Sequence, residues 1–168
     1  MTKLLALIDA SVYGRSVCDH AAWAAARMDA SVEVLHVLGR RDTSSIPADY
    51  TGSLAADARD ALLAELAALD AEKARLAQKR GRLILDEAKA RLGAAGIATV
   101  ASLRLGDLTE TVAEREADAD LIVIGKRGEA ADFARLHLGS NLERVVRASR
   151  RPVLVAARAF KPIERFLV

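Results

Sequence analysis

Five short apolar runs, separated by segments with helical periodicity, constrain the fold of this chain more than any other feature. The runs lie at 3–9, 31–38, 96–106, 120–125 and 151–157, with helical patterns at 16–28, 108–119 and 140–149. This alternation predicts parallel strands joined by right-handed crossovers, and so a doubly wound α/β sheet. In such sheets ligands bind outside the carboxyl ends of the strands, where the strand order reverses. We therefore expect a ligand site in the segments that follow the strands.

The middle of the chain departs from simple alternation. Residues 54–92 form one alanine-rich helical pattern, about 58 Å long if unbroken. Leucine recurs at every seventh position, at Leu62, Leu69, Leu76 and Leu83. A coiled-coil seam would also need apolar companions, but Lys73 and Arg80 occupy two of those positions and Gly81 interrupts the run. Two interpretations stay open: an extended second helix that packs on the sheet and overhangs it, or a helical arm that binds a partner.

Composition excludes several classes of function. The 168 residues fit one domain, and a net charge of +2, from 25 basic and 23 acidic side chains, gives no global field for nucleic acid. No apolar stretch approaches the ~18 residues that span a bilayer. The single cysteine, Cys18, allows neither an internal disulfide nor a zinc site built from several cysteines. We expect a cytoplasmic protein that binds neither nucleic acid nor membrane.

The loop after the fourth apolar run has the features of a phosphate site. Gly125 and Gly128 allow close approach of the backbone to a ligand, and Lys126 and Arg127 between them add positive charge. Gly139 and Ser140 begin a helix, and the free N–H groups and the dipole at this end of a helix favour an anion. No Walker A or dinucleotide-binding glycine motif is present. By themselves these residues leave two interpretations: a phosphate cradle, or ordinary turns with Ser140 capping the helix.

The order of these motifs resembles the universal stress protein family. The resemblance runs through "LLALIDAS", "HV", "LRLGD", "LIVIGKRG" and "LGSNLERVVRASRRPVLV". It implies a five-stranded sheet of order 3-2-1-4-5. Members of the family commonly form homodimers through the last strand, and a subset binds ATP. The resemblance therefore implies a bound adenine nucleotide, ATP or else AMP or ADP, with Mg²⁺ accompanying a triphosphate.

The resemblance also assigns the nucleotide-binding residues. They are Asp9, Ala10, Ser11, Val37, Gly106, Gly125, Lys126, Arg127, Gly128, Gly139, Ser140 and Asn141. Asp9 and Val37 would flank adenine, and the loop glycines with Gly139 and Ser140 would contact ribose and phosphates. The chain departs from the family's usual pattern twice. Ten residues, rather than nine, separate Gly128 from the Gly-Ser pair, and Ala10 stands where glycine is usual.

The resemblance predicts a stress-response protein that works through nucleotide-dependent conformational or assembly change. The alternative is a dimerisation or adaptor module of the same fold with no bound nucleotide. Asp9 is the one acid that we expect at the crevice, so no paired-carboxylate site is predicted, and any ATP hydrolysis would be slow. His36 is expected to be packed in the sheet, His137 to be a loop residue, and Cys18 to be a small buried side chain.

The end of the chain is unusually apolar. Residues 1–158 are predicted to form the universal stress protein domain. The segment 159–168, "AFKPIERFLV", resembles the opening of another first strand. It is interpreted either as the start of a second stress-protein domain or as a tail that covers an edge or a dimer partner.

Overall fold

The described residues, 2–44, 56–129 and 140–165 of the computed structural model, form a parallel five-stranded sheet of order β3-β2-β1-β4-β5. Its strands are β1 (Thr2–Leu7), β2 (Ala30–Leu38), β3 (Thr99–Leu105), β4 (Leu121–Gly125) and β5 (Val153–Ala156). The helices are α1 (Gly14–Met28), α2 (Arg40–Thr43), α3 (Ala56–Ala94), α4 (Leu108–Arg115) and α5 (Ser140–Ala148), and a 3₁₀ turn covers Glu116–Asp118. The predicted doubly wound fold, its strand order and the extended helix are therefore confirmed.

Helices cover both faces of the sheet because its central strands are apolar on both faces. Alternate residues of β1 enter different clusters: Leu4 packs with α1 and α3, and Leu5 packs with α4 and α5. The register pairs Leu5 with Glu33 of β2 on one side and with Ile122 of β4 on the other. The strand order reverses between β1 and β4, which places their carboxyl ends side by side.

Local signals fix several helix ends. The Asp107 carboxylate accepts hydrogen bonds from the backbone N–H groups of Thr109 and Glu110, and so caps α4. Gly96 has φ +76° after α3, the left-handed conformation expected of glycine beyond a helix end. Gly93 does not end α3, because the helix runs through it to Ala94. Gly81 likewise lies within a continuous α3 and does not interrupt it.

The long helix α3 packs on the sheet along only part of its length. Its buried side chains, Leu85, Ala88 and Leu92, all follow Gly81 and join the cluster on the α1 face. Gly81 sits so close to the sheet that a Cβ there would lie 2.8 Å from Leu103 Cδ1 and 3.0 Å from His36 Cδ2. No α3 side chain that the structure describes before Gly81 is buried. Residues 56–80, about 37 Å of helix, therefore overhang the sheet.

Within the described ranges, no helix combines the length and the apolar character needed to cross a membrane.

Residues 157–165 follow β5 without helix or strand. There Phe160 packs edge-on against His20 of α1, with ring centroids 4.9 Å apart. Ser16 of α1 also donates a hydrogen bond to the Ala157 carbonyl oxygen at 2.6 Å. Side chains of α1 thus hold the start of this segment.

Candidate functional site

A cavity of about 1290 Å³ lies where the carboxyl ends of the strands meet. Its floor is formed by the last residues of β1, β2, β3 and β4 and the segments that follow them, and α3 and α5 line its sides. From the set assigned by resemblance, Asp9, Val37, Gly106, Gly125, Arg127, Gly128, Ser140 and Asn141 line it. Residues that the sequence places far apart thus share one cleft.

Four of the assigned residues behave differently. Ala10, Ser11 and Lys126 are not among the described residues that line the cavity, and Gly139 lies outside the described residues. Ser11 helps to shape the β1–α1 turn, since its hydroxyl accepts a hydrogen bond from the Tyr13 N–H at 3.2 Å. Lys126 donates its backbone N–H to Ala156 of β5 at 3.0 Å, and its side chain is exposed. The ten-residue spacer after Gly128 lies, except for Glu129, in the segment that is not described.

Asp9 joins the two loops that flank the reversal point of the sheet. One carboxylate oxygen accepts the backbone N–H of Ser11 at 3.0 Å, and the other accepts the backbone N–H of Glu129 at 2.9 Å. The carboxylate thereby ties the turn after β1 to the loop after β4. Asp9 was predicted as a ligand contact, and its position in the structure adds a role in holding the phosphate-loop candidate in place.

The glycines of the β4 loop have a packing reason as well as a predicted ligand role. A Cβ at Gly125 would lie 2.8 Å from the Cβ of Tyr13, and one at Gly128 would lie 2.9 Å from an Asp9 carboxylate oxygen. Any side chain at either position would push the loop away from the β1–α1 turn. Gly106 has φ +138° and turns the chain from β3 into α4 at the edge of the cleft. These glycines therefore shape the floor of the cavity.

The first turn of α5 opens onto the same cleft. Ser140 and Asn141 begin this helix, and both are exposed and line the cavity. The first N–H groups of a helix have no partner within it, and the helix dipole favours an anion at this end. Leu142 and Val145 are buried against the sheet, which anchors the turn relative to Gly125.

The expectation that Asp9 is the only acid at the crevice is wrong. Other acids that line the cavity are Asp42, Asp107, Glu110 and Glu129. Three of these already have partners in the protein: the Asp42 carboxylate accepts the Gly39 N–H at 2.7 Å, Asp107 pairs with Arg144, and Glu129 pairs with Arg80. Sequence periodicity could not reveal them, because they reach the cleft from three separate parts of the chain: α2, the start of α4 and the loop after β4. Most of these acids are therefore engaged by groups of the protein itself.

Asp107 shows how such an acid is held as a carboxylate. The hydrogen bond from Arg144 of α5, at 2.7 Å, keeps the pKa of Asp107 below its usual value, and the capped backbone N–H groups of α4 act in the same direction. The pair also joins α4 to α5 beside Gly106. The "LRLGD" motif thus contributes a turn, a helix cap and an ion pair to one side of the cleft.

Apart from Arg127, the positive charge in the cleft comes from residues outside the set assigned by resemblance. The described cationic side chains lining it are Arg40, Lys73, Arg80, Arg127 and Arg144. Lys73 and Arg80 belong to α3, whose residues between them also form part of the wall. The Lys73 ammonium donates to the Ser44 carbonyl oxygen at 3.0 Å, and Arg80 forms an ion pair with Glu129 directly after Gly128. The overhanging helix is therefore a part of the cleft.

The remaining titratable candidates are structural. His36 is buried, and its Nδ1 lies 2.8 Å from the Ile8 carbonyl oxygen, so Nδ1 carries the proton and donates it. Burial raises the pKa of the Cys18 thiol to about 11, which leaves it protonated and poorly nucleophilic at neutral pH. His20 bonds to Ser16 within α1. His137 lies outside the described residues.

A parallel sheet of this order, with a cleft where the strand order reverses, defines a doubly wound α/β domain, a class in which ligands bind at that position. The Universal stress protein family matches residues 1–157, and the chain belongs to that family.

Known relatives agree with this assignment. A universal stress protein of Synechocystis is 33% identical over 169 residues, and the match covers 99% of this chain. The chain spans 59% of the length of that relative. A universal stress protein of Archaeoglobus fulgidus, solved in complex with dAMP, has a TM-score of 0.58 at 18% identity, covering 93% of this chain and 97% of its own. A family member from Arabidopsis thaliana, solved with AMP bound, has a TM-score of 0.53 at 18% identity, covering 95% and 93%. At such identities the two structures establish the shared fold alone.

Proposed function

We propose that the chain binds an adenine nucleotide, with ATP as the ligand, in the cleft at the carboxyl ends of β1, β2 and β4. The observation that carries the proposal is the convergence of Asp9, Val37, the Gly125–Gly128 loop and the first turn of α5 on one cavity. Two structural relatives were solved with dAMP and AMP, which supports an adenine nucleotide over other anions. Adenine would lie between the ends of β1 and β2, and the phosphates over the β4 loop and Ser140.

The charge of the cleft supports a phosphorylated ligand. Arg127 lies within the loop itself, and Arg144 is one turn along α5 from Ser140. Guanidinium groups suit phosphate because they present several N–H donors in a planar array. Mg²⁺ would arrive with the triphosphate, coordinated mainly by phosphate oxygens and water. Among the described residues, no group of three or more His, Cys, Asp or Glu side chains has the arrangement of a metal site.

The wider proposal is a cytoplasmic stress-response protein whose conformation or assembly depends on the bound nucleotide. β5 forms one edge of the described sheet, and Val155 on it is 41% exposed, which supports homodimerisation along this edge. Residues 1–158 would form the domain, and 159–168 would be either a tail or the start of a second stress-protein domain. If no nucleotide binds, the adaptor interpretation replaces this one.

The test is titration calorimetry with ATP, ADP, AMP, adenosine and GTP, on the wild type and on two variants at Ser140. Ser140→Asp places a carboxylate where phosphates would lie, yet an acid in the first turn favours the helix, so the variant should fold normally. We expect ATP affinity to fall at least about tenfold, equivalent to about 1.4 kcal/mol, with adenosine little affected.

Ser140→Asn is the matched control, because asparagine has nearly the same shape as aspartate but carries no charge. It should bind ATP close to wild-type affinity. The proposal is wrong if the wild type gives neither binding heat nor a thermal shift with any nucleotide at millimolar concentration. Equal weakening of ATP and adenosine by Ser140→Asp would instead contradict the placement of the phosphates.

A further inference from the structure

A stripe of leucines runs along α3 from the overhang to just past Gly81, and one of them, Leu76, also lines the cleft. Leu69, Leu76 and Leu83 are 66%, 50% and 62% exposed, and Leu62, one heptad earlier, is partly buried. Leucines spaced seven residues apart lie along one face of a helix, drifting by about 20° per heptad. Three large apolar side chains that are at least half exposed along one face mark a helix-pairing face more than a solvated surface.

The charges beside this stripe are separated into two blocks. Residues 60–72 carry four acids and no base, whereas residues 73–82 carry five bases and no acid. The change of sign falls midway between Leu69 and Leu76, which is also the midpoint of the four leucines. A helix with this pattern is self-complementary when a second copy lies antiparallel to it, because each acidic block then faces a basic block.

We propose that α3 pairs antiparallel with α3 of a second copy of this chain, about a two-fold axis between Glu72 and Lys73. In that register Leu69 faces Leu76 of the second copy, and Leu62 faces Leu83. Such isologous contacts are the usual way in which identical subunits form a closed dimer.

In the same register, the charged residues beside the leucine stripe lie opposite residues of the other sign in the second copy. Glu72 faces Lys73 of the second copy, Glu65 faces Arg80, and Arg59 faces Asp86. Lys73 and Arg80 are the two cations that make a parallel zipper unfavourable, since parallel pairing would set each against itself. In the antiparallel pair both meet acids. Within the single chain Glu72 pairs with Arg75 and Arg80 with Glu129, and such exposed pairs exchange partners at small cost.

Disulfide trapping tests the contact and its direction together. The double variant Leu69→Cys/Leu76→Cys should form a covalent dimer under mild oxidation, because positions 69 and 76 of different copies face each other. Each single variant should stay uncrosslinked, since two copies of position 69 would lie about 10 Å apart along the helix axes. Native Cys18 is buried with its pKa raised to about 11, so it should not interfere.

Every outcome of this trap decides the proposal. A covalent dimer formed by the double variant alone supports it. Crosslinking of either single variant indicates parallel pairing and overturns it. A protein that sedimentation shows to be dimeric, but in which no variant crosslinks, associates elsewhere, and a protein that is monomeric at all accessible concentrations also refutes it. Circular dichroism controls for folding, and because both leucines are exposed their replacement should be tolerated.

Charge exchange at the two-fold axis gives an independent measurement. Glu72→Lys or Lys73→Glu alone creates like-charge contacts twice per dimer, and should raise the dimer dissociation constant roughly tenfold. The double variant Glu72→Lys/Lys73→Glu restores opposite charges in the pair, and should recover most of that loss in sedimentation equilibrium. Failure of the double variant to recover affinity would mean that the intrachain contacts of Glu72 and Lys73, rather than a second copy, explain the single variants.

Discussion

Along α3, the residues from Gly81 to Leu92 lie against β2 and β3, whereas the residues before Gly81 run past the sheet and form one wall of the cleft. Both halves belong to one continuous helix of 39 residues with similar alanine-rich composition. On the same face of the helix, leucine is fully buried in one half, at Leu92, and 45% exposed in the other, at Leu63. Helical periodicity therefore does not determine burial, which depends on what the tertiary structure places beside each turn.

The largest expected difference between the halves comes from deleting a leucine side chain in each. Leu92→Ala should lower the free energy of unfolding by about 2–5 kcal/mol, because it leaves a cavity in the α1-face cluster. Leu69→Ala should change it by less than about 0.5 kcal/mol when measured by urea denaturation at a concentration where the chain is monomeric. Comparable losses in both variants would contradict the overhang of residues 56–80.

Charged residues extend the comparison from the packed region to the exposed one. Glu33 of β2 is only 3% exposed, with Lys3 Nζ at 2.6 Å and Ser102 Oγ at 2.9 Å. Burial alone would raise the pKa of Glu33, but these hydrogen bonds and the nearby Arg115 hold it below its usual value. The pKa of Glu72 on the overhang is also lowered, by the hydrogen bond from Arg75, but both side chains of that pair are exposed.

These two acids should differ in how they affect stability as the pH changes. Since the folded pKa of Glu33 is depressed, its stabilisation is present above the unfolded value near 4.3 and is lost as pH falls through the folded value. Glu33→Gln should lower the free energy of unfolding at pH 7 by roughly 1–3 kcal/mol. It should also reduce the loss of stability that accompanies acidification between about pH 5 and pH 3. Thermal unfolding at several pH values measures both effects. Glu72→Gln should leave the loss of stability at acid pH nearly unchanged. If it reduced that loss as much as Glu33→Gln does, the proposed difference between the two acids would be contradicted.

Much of the fold could be predicted from the sequence because its signals are local. An apolar run such as "KLLALID" must be buried on both faces, and alternation with helices then restricts the topology. Asp107 could be predicted as a cap because capping acts over three residues. Boundaries were less accurate: the third strand begins at Thr99 rather than at residue 96, and α4 ends at Arg115 before a 3₁₀ turn rather than at residue 119.

The site was only partly predictable, because its remaining residues reach the cleft through tertiary contacts. Arg144 lies beside Asp107 across 37 residues, and Arg80 pairs with Glu129 across 49. No spacing in the sequence encodes these pairs. The sequence identified the glycines at 125 and 128. It could not show that Tyr13 and Asp9 are the neighbours that exclude a side chain there. A pattern thus identifies backbone requirements, and the fold determines which charges surround them.

The smallest expected effect, and the sharpest in sign, concerns two glycines within α3. Alanine favours a helix interior over glycine by about 1 kcal/mol, so either substitution would stabilise an isolated helix. At Gly93 nothing lies within 4 Å of an added Cβ, and Gly93→Ala should raise the free energy of unfolding by about 0.5–1 kcal/mol.

At Gly81 the new methyl group would meet Leu103 and the ring of His36, and overpacking of this kind costs about 1–3 kcal/mol. His36 cannot easily turn away, because its Nδ1 is held by the Ile8 carbonyl. Gly81→Ala should therefore be destabilising by about 1 kcal/mol in urea denaturation, and stabilisation at both positions would mean that α3 does not rest on β2 and β3 at Gly81.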